Sequence, residues 1–179
     1  IEDYNDIETV NLYHELVDKL GKDPQTVLPG LRTKSRDNAR TPMQWNAGPN
    51  AGFSSGKPWL KVNPNYPEIN AEQALADPNS VFYYYQKLIQ LRKSEAAVVY
   101  GSYDLILPED EQIYAFTRTF EEKQLLVILN FSEQTPYFSL PENIRFTRTE
   151  RLIGNYETEA DDLHHFKLRP YEAIVYRLI

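Results

Sequence analysis

The sequence predicts a mixed α and β protein, in which helices and a long irregular segment precede an antiparallel β-sandwich. Three observations support this fold class. Apolar residues recur at helical spacing over 6–20 and over 78–94, and a stretch rich in proline and glycine, 31–70, separates the two regions. From Val98 onward, short β-branched or aromatic segments alternate with turn residues, as is typical of strands. We therefore predict one domain over residues 1–98 and a second over residues 99–179.

A first helix is predicted over Asp6–Leu20, because apolar residues there recur at helical spacing and Gly21 lies where a C′ glycine is expected. Asp23-Pro24 then provides an N-cap followed by a proline at the first helical position, which predicts a second helix. We expect Pro29-Gly30 to stop that helix, since both residues are unfavourable in a helix interior.

The region from Leu31 to Asn70 has neither the period of a strand nor that of a helix. It contains prolines at positions 42, 49, 58, 64 and 67. Ordered loops of this length are uncommon in compact domains unless they serve a function. We therefore look for functional residues in this region.

Two further helices are predicted. Asn70 caps a short helix over Ala71–Ala76, and Asp77-Pro78 begins a longer one that runs to about Ser94. Apolar and aromatic residues cover well over half of the circumference of the longer helix, so it should be buried on two sides. Such a helix needs a large partner to pack against.

The C-terminal half is predicted to contain about seven short strands, as in a small antiparallel sandwich. Leu125–Leu129 is apolar at every position, as expected of a central strand that is covered on both faces. The predicted strands are Tyr103–Leu107, Ile113–Thr119, Gln124–Asn130, Thr135–Ser139, Thr147–Ile153, Phe166–Leu168 and Ala173–Leu178.

Composition narrows the class of partner. The net charge is −7 and no basic stripe is visible, which argues against nucleic acid and acidic membranes as partners. No apolar run is long enough to predict a membrane span. The absence of cysteine excludes disulfides and thiolate metal sites and fits a cytoplasmic protein. Because the chain begins with Ile1 and its one methionine is Met43, we expect a fragment or a processed product.

The segment Ser35–Trp45 concentrates polar chemistry on a predicted surface loop, where binding residues are common. Guanidinium and amide groups offer the paired donors and acceptors that sugar hydroxyls match, and nearby indole and phenol rings could stack on a pyranose. These residues suit a neutral, polyhydroxylated ligand. The alternative is that the polar groups pin the loop internally while Trp45 fills a core. The polar and indole side chains of the segment include Arg36, Asp37, Asn38, Arg40, Gln44 and Trp45, and the nearby rings are Trp59 and Tyr66.

A complete catalytic set is missing from the sequence. Glycoside hydrolysis ordinarily requires two carboxylates. The acidic residues within 2–8 lie at a predicted helix start, where they interact favourably with the helix dipole. Glu109–Glu111 is predicted to be an exposed turn. The residues Asp161, Asp162, His164 and His165 resemble metal ligands, but no second motif completes a metal shell. We predict neither a metal site nor a cofactor.

Ser35–Trp45, followed by Ala51-Gly52-Phe53, Gly56–Trp59 and Val62–Tyr66, closely resembles the bacterial oligo-1,6-glucosidases. These α-glucosidases of the α-amylase superfamily have dextran glucosidase, trehalose-6-phosphate hydrolase and sucrose isomerase as close relatives. The resemblance departs at Pro24–Thr33, where Pro29-Gly30 interrupts a stretch that should be helical. It extends to both ends of the chain through Ile1–Tyr13, Ser80–Lys93 and Leu168–Tyr176.

This resemblance implies a (β/α)8 barrel (TIM barrel) catalytic domain, whose site lies at the C-terminal ends of the strands. In such enzymes the catalytic carboxylates follow strands four, five and seven. The resemblance places the start of this chain after strand eight. Residues 1–98 would then be the end of the barrel, with its eighth βα loop and last helix, and residues 99–179 the C-terminal sandwich. The missing barrel would supply both the catalytic acids and the partner of the helix over 78–94.

The resemblance also assigns substrate-binding residues. Glu8 and Arg36 match positions on the aglycone side of the pocket, and Arg40 matches a second arginine near its mouth. Their expected role is to position sugar hydroxyls. The side chains that are expected to support them without touching sugar are Asp37, Asn38, Gln44 and Trp45.

The function expected from the resemblance is that of the C-terminal part of a retaining, cytoplasmic α-glucosidase that cleaves terminal α-1,6-linked glucose. Its expected partners are an oligosaccharide substrate and the missing N-terminal barrel portion, without which the chain should be inactive. A sucrose isomerase, a trehalose-6-phosphate hydrolase or a maltose-preferring α-glucosidase are alternatives within the family. A non-catalytic carbohydrate-binding or structural β-module is an alternative of another class.

Overall fold

The computed structural model describes residues 1–157 and 162–179. These residues form two compact units, Ile1–Ser80 and Val81–Ile179. In the described ranges, no helix combines the length and the hydrophobicity needed to cross a membrane. The domain boundary between residues 98 and 99 stays a prediction.

The first unit begins with the predicted helix. Helix α1 spans Ile7–Tyr13 and continues as a π-helical segment, His14–Lys19. Gly21 then adopts a positive φ of 65°, which suits glycine because it lacks a Cβ. Helix α2 spans Pro24–Lys34, and the Asp23 carboxylate caps it by accepting the backbone N–H of Gln25 at 2.9 Å. The predicted starts of both helices are confirmed.

The prediction that Pro29-Gly30 ends the second helix is wrong, because α2 runs through both residues. Proline at position 29 lacks one backbone donor, so the helix loses a single bond at this point. Burial of Val27 and Leu31 on either side anchors the helix across the interruption. Tertiary packing therefore overrides the local propensity.

The long region after α2 contains two short 3-10 turns, Arg36–Ala39 and Pro49–Gly52. Residues 44 and 45 of this region are bound to helix α3, which spans Ala71–Ala76 as predicted. The first backbone N–H groups of α3 donate to the carbonyls of Gln44 and Trp45 at 2.9 and 3.0 Å, and the Asn70 side chain caps the next turn. The loop is therefore ordered by the donors that a helix N-terminus leaves free.

The second unit opens with helix α4, Val81–Ser94, and helix α5, Ala96–Tyr100. Helix α4 starts three residues later than predicted, because Asp77–Ser80 closes a turn in which the Ser80 N–H donates to the Asp77 carbonyl at 3.0 Å. The expected burial of this helix on two sides does not occur among the described residues, since none of its side chains is buried.

The rest of the second unit is antiparallel β structure, and all seven predicted strands are present in the described ranges. Five strands form one sheet in the order β1-β2-β3-β7-β5, and two form a second sheet, β4-β6. The strands are β1 Ser102–Leu105, β2 Ile113–Phe120, β3 Lys123–Asn130, β4 Tyr137–Ser139, β5 Thr149–Gly154, β6 His165–Lys167 and β7 Ala173–Leu178.

The core of the second unit combines residues from both sheets, which confirms the predicted sandwich. Leu126 and Ile128 of β3 and Phe138 of β4 are all fully buried in it. Leu125, on the opposite face of β3, is also buried. The central strand is thus covered on both faces, as its continuous apolar run predicts.

We predict that Phe138→Ala lowers the free energy of unfolding of the second unit by about 3–5 kcal/mol, because it removes a fully buried ring and leaves a cavity. The neighbouring Tyr137 is a matched control, since its side chain is 62% exposed. Tyr137→Ala should change stability by less than about 1 kcal/mol. Urea unfolding followed by circular dichroism measures both, and similar losses for the two variants would contradict the sandwich core.

Candidate functional site

The candidate site is built around an ion pair between Asp6 and Arg36. Asp6 directly precedes α1, and only 4% of it is exposed. Its Oδ1 accepts hydrogen bonds from Arg36 Nε at 2.9 Å and from Nη2 at 2.6 Å. Its Oδ2 accepts from the Thr9 hydroxyl at 2.8 Å and from the Arg36 backbone N–H at 3.2 Å. One carboxylate therefore fixes both the main chain and the side chain of Arg36.

The same contacts determine the charge of the pair. Hydrogen bonds from Arg36 hold the pKa of the Asp6 carboxyl far below its usual range. In return, Asp6 raises the pKa of the Arg36 guanidinium. Both groups are charged at neutral pH, so Asp6 is unsuited to be a proton donor in catalysis.

Asp37 holds the chain beside this pair. It is buried, and its Oδ2 accepts the backbone N–H groups of Asn5 at 2.7 Å and of Asp6 at 3.0 Å. The Asn5 side chain in turn donates to the carbonyl of Trp59 at 3.1 Å. Asp37 therefore links the entry to α1 with the 3-10 turn that carries Arg36.

Glu8 and Arg36 come together at the surface. Glu8 Oε2 lies 3.4 Å from Arg36 Nη2, and Glu8 itself is exposed. Arg40 is exposed after the same 3-10 turn, and within the described residues its guanidinium makes no hydrogen bond or ion pair. The site thus presents two arginines and one carboxylate to solvent.

The amide side chains predicted beside the arginines bind the loop itself. Asn38 Nδ2 donates to the carbonyl of Arg32 at 2.6 Å. Gln44 Nε2 donates to the Ile69 carbonyl and, at 3.0 Å, to Asn65 Oδ1. The amide groups of Asn38 and Gln44 therefore stabilise the loop itself, as in the alternative in which the polar groups serve the loop.

The indole rings do not fill a core. The exposed fraction is 52% for Trp45 and 63% for Trp59. The interpretation of Trp45 as a core residue is therefore wrong within the described part of the chain. Tyr66 is half-buried. The two exposed indoles leave flat apolar faces available for a ligand.

The arrangement can bind hydroxyl groups but offers no acid and base pair for hydrolysis. Among residues 1–157 and 162–179, no cluster of three metal-ligating side chains occurs. Asp161, part of the acidic and histidine cluster noted in the sequence, lies outside the described residues.

Asp6 is the site residue that sequence reasoning missed. The sequence places it among acids at a helix start, yet its side chain makes no capping hydrogen bond. Its partner Arg36 is 30 residues away, so no local pattern could pair them. The one local signal was Thr9, three residues on, whose hydroxyl can reach back to the acid.

Two family models match the chain. The model for the alpha amylase catalytic domain matches residues 5–101, and that for the maltogenic amylase C-terminal domain matches residues 103–175. The matches confirm the predicted order, in which the end of a catalytic domain is followed by a C-terminal domain.

Individual relatives cover nearly the whole chain. An oligo-1,6-glucosidase of Parageobacillus thermoglucosidasius is 58% identical over 99% of this chain and 32% of the relative. The crystal structure of Bacillus licheniformis trehalose-6-phosphate hydrolase superposes with a TM-score of 0.92 at 42% identity, covering 99% of this chain and 32% of that one. Isomaltulose synthase from Klebsiella sp. LX3 gives a TM-score of 0.90 at 40% identity, covering 100% and 32%. The chain thus spans about a third of the length of these relatives.

We predict that Asp6→Asn lowers the midpoint of thermal unfolding by several degrees at pH 7, because the pair with Arg36 loses its negative charge. The pKa of Asp6 is lowered in the folded chain, so its stabilisation is fully present above the ordinary aspartate pKa of about 3.9. It is lost as the pH falls toward the folded value. The difference between the natural chain and the variant should therefore shrink below about pH 4.

The control for this prediction is Glu8→Gln, which removes the exposed carboxylate beside the same guanidinium. Exposed ion pairs contribute little, so this variant should unfold close to the natural chain. A deficit of Asp6→Asn that stays constant from pH 7 to pH 3 would show that the loss does not arise from the charge of Asp6.

Proposed function

Because the chain belongs to the α-amylase family, we propose that it is the C-terminal part of a retaining α-glucosidase. The enzyme removes terminal α-1,6-linked glucose from isomalto-oligosaccharides. The likeness to oligo-1,6-glucosidases over nearly the whole chain supports this substrate class. The assignment of the site rests on Arg36. Two nitrogens of its guanidinium bind the Asp6 carboxylate, and the side chain is still partly exposed to solvent.

Arg36 is suited to hold a sugar hydroxyl. Its Nε and Nη2 are committed to Asp6, whereas Nη1 makes no hydrogen bond within the described part of the chain. A guanidinium held by a buried carboxylate keeps its orientation before the ligand arrives, so less conformational freedom is lost on binding. Arg36 and Glu8 together position the leaving sugar on the aglycone side.

The other residues of the loop have supporting roles in this proposal. Arg40 contacts sugar near the mouth of the pocket with its guanidinium, which makes no hydrogen bond or ion pair to the residues that the structure describes. Asp37, Asn38 and Gln44 hold the loop through their hydrogen bonds to the main chain. Trp45 follows Gln44 in the same loop and supports the site without touching sugar.

Residues 1–98 form the end of a TIM barrel in this proposal, and residues 99–179 form its C-terminal sandwich domain. The catalytic carboxylates belong to an N-terminal barrel portion, which is the protein partner of this chain in a cytoplasmic enzyme. Retention implies a covalent glycosyl-enzyme formed on one of those carboxylates. No cofactor is required for such chemistry.

Trehalose-6-phosphate hydrolysis, sucrose isomerisation and maltose-preferring α-glucoside hydrolysis are the alternatives within the family. A trehalose-6-phosphate hydrolase and an isomaltulose synthase are among the similar proteins. The alternative of a free-standing carbohydrate-binding module is disfavoured by α4. A module of that kind has no use for a helix with large apolar side chains exposed along its length, such as Val81, Tyr85 and Ile89.

The 179-residue chain alone should not hydrolyse p-nitrophenyl α-glucoside, because in this proposal the catalytic carboxylates belong to the N-terminal barrel portion. The measurement is the release of p-nitrophenol by the purified chain, with the intact enzyme as the positive control. Release by the chain at a rate that survives repurification would contradict the proposal. Micromolar binding of isomaltotriose by the chain would favour the module instead.

In the intact enzyme, Arg36→Ala should lower kcat/KM for isomaltose by about tenfold or more, because the leaving glucose loses a positioned donor. The aryl glucoside presents no sugar hydroxyls on that side, so its kcat/KM should fall much less. Arg32→Ala, which removes another exposed arginine, is the matched control and should leave both substrates unaffected. Equal losses on the two substrates for Arg36→Ala would exclude an aglycone role.

A further inference from the structure

The outer face of the five-stranded sheet carries a row of four aromatic rings. Tyr103 of β1, Tyr114 and Phe116 of β2, and Phe131 after β3 lie on the face opposite the core residues Ile113 and Ala115. Ring centroids are 5.1 Å apart for Tyr103 and Phe116, 5.3 Å for Phe116 and Tyr114, and 6.4 Å for Tyr114 and Phe131. We call these four residues the aromatic row.

The aromatic row is open to solvent in this chain. The exposed fraction is 68% for Phe131, and both tyrosines are also exposed. A continuous apolar surface of this kind on a soluble domain usually marks an interface.

Helices cover the other part of the same sheet face. Helix α5 packs against β2 and β3, and α4 packs against α5 and β5. Arg118, on the same face of β2 as the aromatic row, donates from Nε to the Ala97 carbonyl and from Nη2 to the Val98 carbonyl, both at 3.3 Å. Arg177 of β7 pairs with the buried Glu95 just before α5. The outer face of the sheet is thus covered by α4 and α5 in one part and exposed at the aromatic row.

Helices α4 and α5 show which part of the protein packs on the outer face of the sheet. Both α4 and α5 fall within residues 5–101, the match to the alpha amylase catalytic domain. The sheet that they cover lies within the match to the C-terminal domain, residues 103–175, except for its outermost positions. The outer face of the sheet is therefore the side on which catalytic-domain residues pack.

We propose that the aromatic row docks the catalytic portion that precedes the matched third in the longer relatives, and that it extends the interface begun by α4 and α5. The proposal rests on the proposed function only in that the parent contains this portion. The relatives have about two thirds of their length there, since this chain covers 32% of them. Burial of the four rings would hold the C-terminal domain to the barrel.

A sugar chain is a poorer occupant of the same rings. The hydroxyls of Tyr103 and Tyr114 lie 2.9 Å apart and hydrogen-bond to each other. One hydroxyl donates to the other, so the pair keeps a single O–H donor that no described residue accepts, and this is less than a surface for several sugar hydroxyls would offer. Mutually bonded phenols over a phenylalanine instead make a surface that is apolar enough to pack against protein.

Tyrosine labelling compares the row in the 179-residue chain and in the intact parent enzyme. Both proteins are treated with a limiting amount of tetranitromethane, and nitration of each tyrosine is followed by peptide mass spectrometry. Tyr103 and Tyr114 should be nitrated severalfold more slowly in the intact enzyme than in the chain. Tyr137, exposed on the second sheet, is the internal control and should be nitrated equally in both.

Equal nitration of Tyr103 and Tyr114 in the two proteins would overturn the proposal. Protection within the 179-residue chain that grows with its concentration would overturn it in favour of a second copy, and protection by added isomaltotriose in favour of a sugar. In the intact enzyme, Phe131→Ser should lower the unfolding midpoint, whereas Tyr137→Ser should not. None of these measurements requires activity. If Tyr103 and Tyr114 are protected from nitration in an intact enzyme that acts on another substrate, the docking surface is supported and the proposed function is wrong.

Discussion

The buried carboxylate of Asp6 is the constraint on which the candidate site depends. It accepts four hydrogen bonds, three of them from Arg36. Without it, the guanidinium would be a mobile group on an exposed turn. Asp37 holds the same segment by accepting hydrogen bonds from two backbone N–H groups, those of Asn5 and Asp6. Arg36 and Asp37 are therefore both bound to the start of α1. A positioned guanidinium is useful to an enzyme that must orient a leaving sugar.

The second unit also combines side chains that are fully packed or paired with side chains that are exposed. Its sandwich core is closed, and the buried Glu95 is paired with Arg177. By contrast, α4 has no buried side chain and the aromatic row is exposed. Both open surfaces are explained if a catalytic portion, present in the longer relatives, packs on this side of the sheet.

Local rules predicted the strands and caps well because their causes are local. Alternation and turn residues set the seven strands, and Asp23 and Asn70 cap their helices through neighbours two and three residues away. The errors occurred where a distant contact or a competing turn prevailed. Pro29 is tolerated because Val27 and Leu31 are buried, and the turn at Asp77 delays α4.

The sequence by itself determined the order of elements and the sandwich, and its resemblance to a family predicted the residues of the candidate site. Only the tertiary structure decided that Asp6 belongs to Arg36, that Asn38 and Gln44 bind the loop, and that Trp45 is exposed. The physical reason is range. Propensity, capping and periodicity act within a few residues, whereas the pairing of Asp6 with Arg36 spans 30 positions and exists only after α1 and the 3-10 turn meet.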